Sequence, residues 1–222
     1  MTDGSRAAGL VEMYTADRQL TDQGRERKQQ LLDCAQTLFT ERGYGATRVV
    51  DICGAAGVAK GLFYWYFPTK ETLFAELVRS MRLRLRRAQA DAIDPAADPL
   101  TRICQGAEAS VRFMASHASF FAFLENVGVE GIVAGLLNEG RDVHTHDVAA
   151  QVAEAQQLHL IDPDEDAALL ASGVIGTVTH FSHAHRSGRI DLPIDAVASF
   201  VGRWVRQALV PEPSSRGILT TP

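Results

Sequence analysis

Cysteine is scarce: Cys34, Cys53 and Cys104 are the only three in 222 residues. An odd number with no CxxC pair and no zinc-ligand spacing argues against a disulfide framework or a zinc site, and Cys53, between Ile52 and Gly54, reads as a small core residue. No run of eighteen apolar residues occurs, so no transmembrane helix and no membrane partner are expected. Residues 1–24 carry Asp3, Glu12, Asp17 and Asp22 and lack an apolar stretch, so they are not expected to be a signal peptide; the expected location is cytoplasmic. No segment alternates apolar and polar residues at strand period, which leaves an all-α chain. Nucleophile-elbow, Gly-rich phosphate-loop, HExxH and paired-carboxylate motifs are also missing. No catalytic residue, no cofactor and no enzymatic activity are therefore expected. Only three lysines occur, Lys28, Lys60 and Lys70, and beyond residue 90 there is neither lysine nor tyrosine.

The formal net charge of −5 hides a strong asymmetry. Residues 25–90 hold twelve basic and six acidic side chains, net +6, whereas residues 91–222 hold eight basic and seventeen acidic, net −9. That pattern predicts a basic module that meets an anion, joined to a larger acidic module that does not. Screening over about 8 Å at physiological salt keeps the acidic part from opposing the basic one at a distance.

Helical periodicity organises nearly the whole chain. Leu31, Ala35, Leu38 and Phe39 at 3–4 spacing predict a helix over 25–42 that Gly43 ends. Thr47 is the expected N-cap of a short helix through Ala55, and Gly57 turns the chain into a second short helix over about 59–66. Pro68 stops that helix at Phe67, and Thr69 caps the next, whose Phe74, Leu77, Val78, Met81 and Leu85 form one apolar stripe. Asp98 followed by Pro99 starts another helix. A Phe-rich segment "SFFAFLEN", a glycine-punctuated stretch to Gly140 and a helix to about Leu160 follow. Asp162 is the expected cap of a helix over about 163–186, and the last helix covers about 193–209. The ends, 1–24 and 211–222, read as a flexible arm and tail.

Five of the sixteen aromatic residues stand consecutively, in "KGLFYWYFPTKETLF" at 60–74. On a helix Phe63 and Phe67 share one face, while Lys60 with Tyr64, and Gly61 with Trp65, fall on another. Consecutive helical residues cannot all face inward, so Phe63 and Phe67 are expected to anchor the helix and Tyr64, Trp65 and Tyr66 to present polar tips outward. Hydroxyl and indole donors suit phosphate oxygens, and helix, Gly-containing turn, helix is the arrangement that places a second helix in the major groove of DNA. Lys70, at a helix start, is expected to be a phosphate contact.

Residues 31–74, "LLDCAQTLFTERGYGATRVVDICGAAGVAKGLFYWYFPTKETLF", resemble the DNA-binding domain of the tetracycline-repressor (TetR) family. Phe39, Gly43, Tyr44, Thr47, Ile52, "AAGV" at 55–58, Lys60, Gly61, Tyr64, Phe67, Lys70 and Leu73 carry the match. The resemblance implies a homodimeric, ligand-responsive transcriptional regulator, usually a repressor. It implies a helix-turn-helix domain over 25–75 and an effector-binding and dimerisation domain over 76–210, with the last two helices forming the dimer contact. It also implies DNA contacts from Thr47, Arg48, Lys60, Leu62, Tyr64, Trp65, Tyr66 and Lys70, to which Gly61 adds close backbone approach. Ala59, Leu62, Tyr66 and Val50 depart from the usual Ser, Thr, His and Arg, which bears on the operator sequence rather than on the class.

In the C-terminal half, Phe113, Phe120, Phe121, Phe123 and Phe181 are candidates to line an apolar effector pocket, with polar anchors from Asn126, Arg141, Thr177 or His180. All seven histidines follow residue 116, and His180 and His183 have the i,i+3 spacing of a chelating pair, but no cysteine or acid joins them at ligand spacing, so no metal is assigned. A metal-responsive regulator using these histidines, and a helical ligand-binding protein that has lost DNA binding, are the two alternatives.

Overall fold

The structure is a computed structural model that describes residues 21–126 and 132–210, apart from the side chains at 126, 132–134 and 136–142. Among the described residues every regular element is a helix: α1 (Asp22–Arg42), α2 (Val49–Ala55), α3 (Lys60–Tyr66), α4 (Lys70–Ala92), α5 (Pro99–Ser116), α6 (Ala118–Asn126), α7 (Ile132–Gln157), α8 (Ala167–Arg186) and α9 (Ile194–Leu209). No described helix is long and apolar enough to cross a membrane. Contacts divide the chain into two compact units, the first within Met1–Val78 and Asn126–Val133, the second within Arg79–Glu125 and Ala134–Pro222.

The first unit is built on local signals. Thr21 starts α1, its hydroxyl accepting from the Gly24 N–H at 3.1 Å, so the helix begins a few residues before the expected position 25. Gly43 (φ 82°) and Gly57 (φ 62°) adopt the left-handed backbone that ends α1 and turns the chain after α2, a conformation costly for residues with a Cβ. Phe67 stands just past α3 in extended conformation, as Pro68 requires. Thr69 then opens α4: its hydroxyl accepts from the Thr72 N–H at 3.1 Å while the Thr72 hydroxyl accepts from the Thr69 N–H at 3.0 Å. Leu31, Ala35 and Phe39 of α1, Ile52 of α2, Phe63 of α3, and Leu73 and Phe74 of α4 are almost wholly buried. Each large apolar side chain buried in this way contributes about 1.5–3 kcal/mol before the entropy of ordering is counted.

The start of α2 differs from expectation. Arg48, not Thr47, is its N-cap, with the Arg48 N–H donating to the Asp51 carboxylate at 3.0 Å. Thr47 is instead buried, its hydroxyl donating to the Gly43 carbonyl at 2.8 Å, so it closes the turn between α1 and α2.

The second unit is a bundle in which Ile103, Ala107 and Val111 of α5, Val152 and Ala155 of α7, Val174 and Val178 of α8, and Val197, Val201 and Val205 of α9 form one core. Asp98 caps α5 as expected, accepting from the Thr101 N–H at 2.9 Å, with Pro99 in the first turn. The glycine-punctuated stretch does not break α7, which is helical from Ile132 through Gly135 and Gly140. The start of α8 also moves: Asp166 rather than Asp162 is the cap, accepting from the Leu169 N–H at 2.7 Å. Gln156 causes the shift, because its amide donates at 2.8 Å to the carbonyls of both Asp162 and Glu165 and holds that segment as turns.

Candidate functional site

The aromatic run divides as its helical geometry requires. Phe63 and Phe67 are buried, whereas Tyr64 and Trp65 are 46% and 50% exposed. Lys60 and Gly61 are exposed on the same side of α3, and Leu62 and Tyr66 are half-buried at its margins. The Lys60 ammonium stands 5.8 Å from the centre of the Tyr64 ring one turn on, and Trp65 meets Tyr66 edge-to-face with ring centres 4.6 Å apart. The short helix α3 thus presents a cation, a phenol, an indole N–H and a glycine gap together on one surface. Ala59 precedes α3 with extended backbone and no side-chain cap. Ala59→Ser should therefore stabilise the first unit by about 0.5–2 kcal/mol, read from urea unfolding; an unchanged midpoint would show that the α3 N-terminus is already satisfied.

Arg48 is exposed at the opening of α2, its guanidinium bonded to the Asp51 carboxylate at 3.0 and 3.1 Å. These bonds hold the Asp51 carboxyl below its ordinary range. Two expected contacts face inward instead. Thr47 is buried with its hydroxyl proton already donated. The Lys70 ammonium donates to the carbonyls of Tyr44 at 2.8 Å and Thr47 at 2.9 Å, and lies 4.1 Å from the centre of the Tyr44 ring. Burial pushes the Lys70 ammonium below its ordinary pKa, against the opposing pull of Glu71. Lys70 is a brace for the turn between α1 and α2. Tyr44, to which no role was given from sequence, completes that brace: its ring packs 5.2 Å from Phe39 and from Phe74, and its hydroxyl donates to Glu71 at 3.0 Å. An aromatic directly after the glycine that ends α1 was the available signal.

In the second unit Phe113, Phe120 and Phe123 are buried and Phe121 half-buried, forming one aromatic cluster across α5 and α6. Phe181 is elsewhere, its ring 5.3 Å from Phe200 of α9. The inward stripe of α8 is Ala171, Val174, Val178 and Ser182, so Thr177 and His180 fall off it. Thr177 spends its hydroxyl on the Gly173 carbonyl at 2.9 Å, and His180 is exposed. His180 meets the Phe181 ring edge-to-face with centres 5.7 Å apart; the side chains of Asn126 and Arg141 lie outside the described residues. Three of the seven histidines are engaged: His183 Nδ1 lies 2.9 Å from Glu125, His185 Nε2 lies 3.1 Å from the Leu192 carbonyl, and His117 Nε2 lies 2.8 Å from Arg84. Among the described residues no three His, Cys, Asp or Glu side chains gather at metal-binding distance.

A basic helix-turn-helix with an outward aromatic and cationic second helix defines a DNA-binding module of the major-groove type. Residues 31–77 match the family described as bacterial regulatory proteins, tetR family. Over those residues the chain resembles the DNA-binding domain of that family. The repressor KstR2 of Mycobacterium tuberculosis is 39% identical over 77 residues, which are 35% of this chain and 38% of that protein, so the match spans well under half of the relative's length. The fold extends the likeness. A TetR-like transcriptional regulator from Rhodococcus sp. RHA1 superposes with a TM-score of 0.64 at 24% identity, over 82% of this chain and 94% of that one. FadR from Bacillus subtilis, solved in complex with stearoyl-CoA, gives a TM-score of 0.72 at 19% identity over 82% and 98%. These relatives are transcriptional regulators rather than enzymes.

Proposed function

We propose that the protein is a ligand-responsive transcriptional repressor. It binds a palindromic duplex operator as a homodimer and is released by a small, largely apolar effector. In this reading residues 25–75 meet DNA, residues 76–210 hold the effector, and α8 with α9 forms the dimer contact. The observation that carries it is the division of α3, with Phe63 and Phe67 buried and Lys60, Gly61, Tyr64 and Trp65 exposed together. A helical carrier without DNA binding has no use for half-exposed Tyr64 and Trp65 beside a lysine. The repressor sign is supported by KstR2, and an apolar effector by the phenylalanine cluster of α5 and α6 and by the stearoyl-CoA of FadR.

Release follows if the effector binds a conformation in which the two recognition helices lose the spacing of about 34–36 Å that half-sites one turn apart require. A coupling of about 1–3 kcal/mol corresponds to 5–150-fold release. Selection of genomic fragments at low salt should enrich a duplex with inverted half-sites. With 6–10 phosphates neutralised, its affinity should fall about 10³–10⁵-fold between 50 and 200 mM salt. A library in which no duplex is enriched defeats the DNA-binding reading.

A further inference from the structure

The inward stripe of α8 does not end apolar. After Ala171, Val174 and Val178 it continues one turn on with Ser182, 4% exposed, and Arg186, whose side chain is 10% exposed, four residues further. The Ser182 hydroxyl and the Arg186 Nη1 amino group are both buried with no hydrogen-bonding group in reach among the described residues. Buried polar atoms are nearly always satisfied, and a guanidinium is costly to enclose with a donor idle. The other arm of Arg186, Nη2, is bonded to Glu125 of α6, whose second oxygen lies 2.9 Å from His183 Nδ1. The ion pair fixes the guanidinium and leaves Nη1 as a donor. The same helix α6 carries the buried Phe120 and Phe123.

We infer that Ser182 and Arg186 Nη1 form the polar end of the effector site and receive a carboxylate carried by an otherwise apolar molecule. This rests on the effector-responsive reading above and replaces the Thr177 and His180 anchors expected from sequence. An idle hydroxyl donor and an idle guanidinium donor on one face of a helix suit an acceptor with two oxygens. A cationic head group would instead meet the idle cationic edge of the Arg186 guanidinium, which disfavours it. Sequence reading missed the pair because Ser182 and Arg186 lie within "HFSHAHR", where the histidines are the conspicuous ligand candidates; the 171–174–178–182 spacing was the available signal.

Calorimetric titration of the full chain with two probes of different shape, dodecanoate and 1-naphthaleneacetate, tests the assignment, with dodecylamine as the donor-only control. At least one carboxylate should bind the wild type, and dodecylamine should neither match nor displace it. Ser182→Ala should leave the unfolding midpoint unchanged or raised, since it removes an unsatisfied hydroxyl, yet weaken the carboxylate about 10–100-fold, the worth of a hydrogen bond to a charged group. Arg186→Lys keeps a cation for Glu125 and should weaken it by a similar factor. The inference is overturned if neither carboxylate binds, if dodecylamine binds as well, or if Ser182→Ala binds like the wild type. Operator affinity measured in parallel separates the two readings. A carboxylate that binds without changing operator affinity leaves the subsite standing and removes the release mechanism. Carboxylate binding by a protein that selects no duplex removes the DNA reading alone.

Discussion

Lys70→Ala is expected to destabilise the first unit by about 2–4 kcal/mol and to weaken duplex binding to every sequence alike. The lysine ammonium supplies the hydrogen bonds of two backbone carbonyls, those of Tyr44 and Thr47, at 2.8 and 2.9 Å. Leaving a partly buried acceptor unpaired costs about 1–3 kcal/mol, and loss of the contact with the Tyr44 ring adds about 0.5–1 kcal/mol. The upper part of that range is trimmed because Lys70 is only half-buried and water can reach part of the gap. The turn thus loosened sets the direction in which Arg48 and α2 leave α1. The recognition helix α3 is untouched, so base preference should persist while affinity falls. Urea unfolding together with duplex titration checks both halves of the expectation. The decisive alternative is a Lys70→Ala protein as stable as the wild type but weaker on DNA. That result would return Lys70 to the role the sequence implied, a direct phosphate contact.

Lys70 marks the point at which sequence reading reaches its limit. Signals that act within one turn were legible: Gly43 and Gly57 at left-handed positions, Pro68 after α3, and Asp98 with Pro99 opening α5. The burial of Phe63 and Phe67 against the exposure of Tyr64 and Trp65 was legible for the same reason, since a rotation of about 100° per residue leaves no other arrangement. What was not legible depended on partners distant in sequence. A lysine at a helix start looks the same whether it meets a phosphate or, as here, carbonyls 23 and 26 residues away. Asp162 and Asp166 are equally good caps by type, and the amide of Gln156 decides between them. The glycines of α7 lower helix propensity by about 1 kcal/mol each, which the packing of a long helix overrides. Phe181 could be assigned to the α5–α6 cluster by residue type alone, and only the geometry of α8 assigns it to Phe200.

Trp204→Glu should leave a folded monomer whose operator affinity is about 10²–10⁴-fold lower than the wild type's. In a single chain Trp204 is 49% exposed and stacks on Phe200, itself 40% exposed, one turn away on α9. On α8 the exposed positions Leu169, Gly173, Gly176 and His180 follow at 3–4 spacing, and a Cβ added at either glycine would meet nothing within 4 Å. An apolar face with small residues at its centre and no lysine or acid along that stripe is suited to burial against a second copy of itself. The core side of α9 is Val197, Ala198, Val201 and Val205, so a charge at position 204 spares the folded chain. In a two-fold pair each introduced carboxylate would be buried near its own symmetry mate, adding repulsion to the cost of desolvation. Dimerisation matters to the operator through effective concentration: once one half-site is held, the second meets its partner at a local concentration that raises affinity by about 10²–10⁴ with no new contact. Sedimentation velocity at micromolar chain concentration should give one chain for the variant and two for the wild type, with an unfolding midpoint for the second unit that is not raised. Binding to an isolated half-site should be unaltered, because α3 is intact in both. A Trp204→Glu protein that sediments as a dimer and holds the full operator at wild-type affinity would mean that α8 and α9 are not the dimer contact.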